Sequence, residues 1–84
     1  MHVELLGIPR ERAGISELHV DAQTLGEALT KLASRFPALG ELVIDGRLHP
    51  SIVANLNADM FVSDPTTPLA AADRLIILSA DAGG

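Results

Sequence analysis

Residues 2–6, HVELL, alternate along the chain: Val3 and Leu5 fall on one side, Glu4 and Leu6 on the other. That period of two predicts a half-buried strand. A second alternating stretch, ISELHV (15–20), puts Leu18 and Val20 inward and Glu17 and His19 outward. Between them GIPRERAG (7–14) carries Gly7, Pro9 and Gly14 around a charged middle and reads as a turn, so the two strands are expected to form an N-terminal hairpin. TLGEALTKLASRF (24–36) then changes to the helical period, with Leu25, Ala28, Leu29, Leu32, Ala33 and Phe36 on one stripe. Thr24 and Glu27 have the spacing of a capping box, Lys31 and Arg35 complement the helix dipole near its C-terminus, and Pro37 stops the helix. Gly26 sits within the first turn and costs roughly 1 kcal/mol relative to alanine there.

The middle of the chain is less regular. ELVI (41–44) followed by Asp45-Gly46 is either a short strand entering a tight turn or an irregular connection. SIVANLN (51–57) and MFV (60–62) read as strands, and SDPTTPLAAAD (63–73) as a loop with at most one helical turn. RLIILS (74–79) is apolar on both faces, as a central strand is. A hairpin, a long crossover helix and further strands predict an α+β chain, a mixed sheet with one main helix packed across a face, of the ubiquitin-like β-grasp kind. We expect a single domain over residues 1–84, ending in a flexible tail over 79–84.

Composition narrows the function. Cysteine is absent, which removes disulfides and cysteine metal sites, and excludes a β-grasp ferredoxin. His2, His19 and His49 show no metal-ligand spacing, so no metal site is expected. The balance is acidic, 11 Asp and Glu against 6 scattered Lys and Arg, and neither Tyr nor Trp is present to stack on bases. Nucleic acid is therefore a poor partner and a basic protein a better one. No apolar run reaches membrane-spanning length and the N-terminus has no secretory pattern, so no membrane association and a cytoplasmic location are expected. Ser63 in the DPTTP region has no His or Asp at a recognisable spacing and reads as loop rather than nucleophile. No glycine-rich phosphate loop is present.

The chain resembles the ubiquitin-like sulfur-carrier family, which includes the small subunit of molybdopterin synthase and the thiamine-pathway sulfur carrier. The resemblance rests on RERAG (10–14), Asn57 with MFV (60–62), and above all TPLAAADRLIILSADAGG (67–84) with its terminal Gly83-Gly84. Ala71-Ala72-Asp73 stands where relatives often have Asp-Gly-Asp, and Asn57-Ala58 where Asn-Gly is common. The length and long middle segment resemble the molybdopterin type more than the shorter thiamine type.

The resemblance implies a protein that is itself a substrate rather than an enzyme. The carboxylate of Gly84 would be adenylated with ATP by a ubiquitin-activating-enzyme-like partner. It would then become a thiocarboxylate that passes sulfur to an acceptor enzyme or to a synthase large subunit. Gly83 and Gly84 lack Cβ atoms, so such a tail can thread into an enclosed nucleotide site. The protein would bind no cofactor of its own and would be a monomer alone. Family alignment also implies partner contacts at Leu6, Met60 and Leu78. The alternation agrees for Leu6 and Leu78: Val3, Leu5, Leu75 and Ile77 point inward, which leaves Leu6, Ile76 and Leu78 on the other face. Two alternatives remain open at this point. A ubiquitin-like modifier would use the same adenylate to join target lysines, and a non-covalent β-grasp interaction module would not use the tail at all.

Overall fold

The computed structural model describes residues 1–83. The chain runs β1 (His2–Leu5), α1 (Ile8–Ala13), β2 (Glu17–His19), α2 (Leu25–Arg35), a 3-10 turn (Pro37–Leu39), β3 (Val43–Ile44), β4 (Arg47–Leu48), β5 (Ile52–Leu56), β6 (Met60–Val62), β7 (Arg74–Ser79) and a second 3-10 turn (Ala80–Gly83). Five strands form one mixed sheet in the order β2-β1-β7-β5-β6, and β3 and β4 form a separate two-stranded ladder. β7 lies at the centre, parallel to β1 and antiparallel to β5.

One face of the sheet is covered by α2. Leu25, Ala28, Leu29 and Leu32 are buried on its inner stripe, against Val3, Leu5, Ile52, Ala54, Leu75 and Ile77. Each leucine removed from water contributes about 1.5–3 kcal/mol, so this seam supplies much of the stability of so short a chain. At the start of α2, Thr24 Oγ1 accepts the Glu27 N–H at 3.2 Å. The Glu27 carboxylate does not return the bond. It pairs with Lys31 one turn on, at 3.4 Å, so only half of the expected capping box forms. Gly26 has a packing reason for its place in the helix: a Cβ there would stand 3.0 Å from the Pro65 side chain and 3.2 Å from its carbonyl oxygen. On the same side the Asp45-Gly46 turn brings Gly46 onto the Gly26 backbone, which settles residues 43–48 as a tight hairpin.

The segment expected to be a turn, residues 7–14, is a helix. Pro9 occupies its first turn, and Gly14, at φ 78°, closes it in the left-handed conformation by donating its N–H to Arg10 O. The residues that read as turn punctuation are thus a helix start and a helix stop. β1 and β2 still pair antiparallel, with Val3 opposite Leu18, but a short helix joins them. The stretch 63–73 holds turns and no helix, tied to the start of α2 by a bridge between Thr24 and Pro68.

Two polar clamps hold the sheet's far end. Asn57 accepts the Arg74 N–H on Oδ1 at 2.8 Å and donates from Nδ2 to Asp73 at 3.0 Å, while its own backbone N–H reaches Arg74 O. Asp73 in turn accepts the Ala70 N–H at 2.7 Å, closing the turn that precedes β7. Asn57 and Ala58 both have positive φ, 58° and 57°, and Asp59 N donates to Leu56 O, so β5 and β6 are joined by a type I′ turn. The left-handed region strains an alanine, which has a Cβ, and glycine relieves it.

Two expected outcomes follow from these turns. Ala58→Gly raises stability by about 0.5–1 kcal/mol, the strain relieved being partly offset by added freedom of the unfolded chain. Urea denaturation reads this as a higher midpoint with an unchanged slope. The Ala70 N–H first, and then Asn57, hold the Asp73 carboxyl below the ordinary value of 3.8. The folded value is depressed, so Asp73 adds stability above the unfolded value, and that stability is lost as pH falls through the folded one. Accordingly Asp73→Asn destabilises at neutral pH, and its deficit relative to the wild-type chain shrinks as pH drops below 3.8.

Candidate docking face and C-terminal tail

The face of the sheet away from α2 changes character along β7. At its start Arg74 stands beside Glu4 and Glu17, at 3.4 and 3.7 Å, and His2 Nε2 meets Glu17 at 3.2 Å. Toward its end Ile76 and Leu78 alternate outward, half-buried, while Leu75 and Ile77 point under α2. Val53 lies opposite Leu78, and Asn55 opposite Ile76. The parallel ladder with β1 continues one residue beyond the strand, through Leu6 N–H to Ile77 O at 2.9 Å, and brings Leu6 alongside Leu78. The charged end and the apolar end of this face are thus separated along one strand, and the apolar end is where the chain leaves the sheet.

Of the three expected partner-contact residues, the structure brings Leu6 and Leu78 together and puts Met60 elsewhere. Met60 pairs with Leu56, which pairs with the buried Leu75, so Met60 belongs to the α2 side of the sheet. It is exposed all the same, because β6 is the edge strand and α2 does not reach over it. Phe61, one residue on, pairs with Asn55 and therefore shares the outer face with Ile76 and Leu78; it is 68% exposed. The alternation in MFV contained that choice, but only the register of the β5–β6 turn decides it.

The tail is rooted more firmly than expected. Ser79, the first residue of the expected tail, is the last residue of β7 and has a buried side chain. Its hydroxyl oxygen accepts the Ile8 N–H at 2.8 Å, filling the N-cap role that Gly7 cannot perform for α1. Gly7 has φ 64° and ψ −133°, a region open in practice only to glycine, and a Cβ there would lie 2.5 Å from Ser79 Oγ. Ala80 N–H then bonds Ser51 O at 2.8 Å, and Ala80–Gly83 form a 3-10 turn. Gly84, the expected reacting residue, lies outside the described residues.

The remaining candidates are dispersed. Arg10, Glu11 and Arg12 are exposed on α1, where Arg12 pairs with Glu41 at 2.9 Å. Among the described residues no group of three His, Asp or Glu side chains is placed to hold a metal ion, and no helix is long and apolar enough to cross a membrane.

This architecture, a mixed five-stranded sheet with one main helix and a chain end emerging beside an apolar outer face, defines a ubiquitin-like β-grasp protein. The model of the ThiS family matches residues 3–84, and the chain belongs to that family. Among solved structures, the small archaeal modifier protein 1 from Methanosarcina acetivorans is 26% identical, with a TM-score of 0.79 over 99% of this chain and 94% of the other. The BexX/CysO complex of Amycolatopsis orientalis contains a chain 27% identical, with a TM-score of 0.79 over 99% and 98%. A putative molybdopterin converting factor subunit 1 from Pyrococcus furiosus shares the fold, with a TM-score of 0.78 over 93% of each chain at 16% identity. Among curated proteins no sequence matches. The family and these neighbours support a sulfur-carrier or ubiquitin-like role.

The tail root is tested by stability. Gly7→Ala is expected to lose roughly 2–4 kcal/mol, from forbidden backbone and overpacking against Ser79 together. Ser79→Ala is expected to lose about 1 kcal/mol through the missing cap. Equal, negligible losses in urea denaturation would show that α1 does not depend on the end of β7.

Proposed function

We propose that this chain is a sulfur-carrier protein, consumed and regenerated as a co-substrate, whose Gly84 carboxylate is the reacting group. Carboxylate oxygen attacks the α-phosphorus of ATP on an adenylating enzyme, pyrophosphate leaves, and an acyl-adenylate forms. A persulfide sulfur then attacks the carbonyl carbon and AMP leaves. Cleavage of the resulting acyl disulfide by a thiol yields the thiocarboxylate, which donates its sulfur to an acceptor enzyme or synthase large subunit. The chain supplies no acid or base; it supplies an unhindered glycine carbonyl and a body to be gripped. It needs no bound cofactor, because ATP belongs to the activating enzyme. The observation that carries this reading is the family match, which runs through Gly84 and spans the motifs of the final strand.

In this reading the partner grips the apolar end of the outer face. Leu6 and Leu78 lie there with Ile76, Val53 and Phe61, beside the strand end from which the tail departs. A second reading, conjugation to lysines as a ubiquitin-like modifier, is favoured by the likeness to the small archaeal modifier protein. It shares the adenylate and differs in the acceptor.

Tail and face are separable experimentally. Deleting Gly84, or adding one residue after it, is expected to abolish ATP–pyrophosphate exchange with the cognate adenylating enzyme while leaving the urea midpoint unchanged. The shortened tail places its carboxylate out of line with the α-phosphorus. Persistence of exchange in both variants would remove Gly84 from the chemistry. Leu78→Asp is expected to weaken binding to that enzyme at least about tenfold, because the new carboxylate must be desolvated in the interface. Met60→Asp, on the other side of the sheet, is expected to weaken it less. The opposite ranking would show that the β6 edge, not the outer face, is gripped.

A further inference from the structure

A pocket of about 330 Å³ opens at the β6 edge between α2, β4 and the β5–β6 hairpin, and Val53 and Phe61 of the outer face share in its lining. Its floor is apolar, made by Leu25 and Leu29 of α2 with Ala54 and Val62 of the hairpin. β6 extends past the cover of α2, and the partly exposed Leu48, Val53, Phe61 and Val62 make the accessible apolar wall above that buried floor. Its size is at the lower end of small-molecule sites, enough for one compact apolar group.

Its polar lining is one-sided. The chain carries 11 acidic residues and a net charge of −5, yet none of those acids lines this pocket. The polar side chains that do are Arg47, His49 and Ser63. Arg47 has no ion-pair partner within 4 Å among the described residues. Asp64, whose carboxylate feels the Arg47 charge, already accepts the Thr66 N–H and hydroxyl at 2.9 and 2.8 Å. His49 Nδ1 accepts the Ser51 N–H at 3.1 Å and lies 2.8 Å from the Ser51 hydroxyl. In the neutral ring the proton is therefore on Nε2, leaving that nitrogen a donor. A guanidinium, an imidazole N–H and a hydroxyl over an apolar floor complement an anion with a small hydrophobic body, and repel an amine.

We propose that this pocket binds a small amphiphilic carboxylate: an aryl or branched alkyl group seated against Leu48, Phe61 and Val62, with its carboxylate on Arg47 and His49. The proposal does not rest on the sulfur-carrier reading; the pocket shares Val53 and Phe61 with the outer face but not Leu6, Ile76 or Leu78. It also gives an occupant a route to the tail, since Ser51 bonds His49 through its N–H and Ala80 through its carbonyl.

The test is a nitrogen-15 NMR titration of the full chain with 3-phenylpropanoate, with 3-phenylpropan-1-ol and 3-phenylpropylamine as neutral and cationic counterparts. The carboxylate is expected to give saturable shifts centred on residues 47–49 and 62–63, with the alcohol and the amine at least about tenfold weaker. Arg47→Gln, an exposed substitution, is expected to reduce the carboxylate to the level of the alcohol and leave the alcohol unchanged. The proposal is overturned if the carboxylate gives no saturable shift, if the amine binds as well as the carboxylate, or if shifts centre on Ile76 and Leu78.

Discussion

β7 is bonded on both sides, to β1 through a parallel ladder from His2–Arg74 to Leu5–Ile77 and to β5 through an antiparallel one from Ile52–Ser79 to Leu56–Leu75. Its inward residues, Leu75 and Ile77, sit under the leucine stripe of α2 and are almost wholly excluded from water. Removing that strand would leave two unconnected pairs of strands and an uncovered helix. The rest of the molecule is arranged around keeping it in register. Asn57 and Asp73 fix its first residue, while Ser79, Ile8 and Ser51 fix its last two bonds before the tail.

The same strand carries the surface gradient. Because side chains alternate, burying Leu75 and Ile77 forces Ile76 and Leu78 outward, so an apolar outer face is the geometric consequence of a central strand that is apolar throughout residues 75–78. A protein that only needed to fold could place polar residues at those two positions. Charged groups at the start of the face, around Arg74 and Glu17, confine the apolar area to the end beside the tail. That is the placement required if a partner must hold the body while the chain end enters a separate site.

How much of this was legible in the sequence depended on the length of each signal. α2 offers three turns of apolar periodicity with a cap and a stop, and its bounds are those the sequence predicts to within one residue. β1 and β7 were equally plain. α1 was not: six residues give too little periodicity, and its N-terminal cap is Ser79, 71 residues away along the chain. Gly7, Pro9 and Gly14 therefore looked like a turn. That Met60 lies apart from Leu6 and Leu78 is hidden for a related reason. The face of a short strand follows from the turn before it, and Ala58 occupies a left-handed position where glycine would have signalled a type I′ hairpin. Neither α1's cap nor β6's register is a local property of its own residues.

In the sulfur-carrier reading, Leu78 and the tail root present a chain end for chemistry done by another protein, and intact-mass spectrometry observes that chemistry most directly. The wild-type chain would be incubated with its cognate adenylating enzyme, ATP and a persulfide donor, and its C-terminal peptide then sequenced by fragmentation. If Gly84 carries the sulfur, the protein gains the mass difference of sulfur for oxygen, located on the terminal glycine and dependent on ATP. A chain of unchanged mass, or one recovered only as a lysine-linked conjugate, would contradict the sulfur-carrier reading.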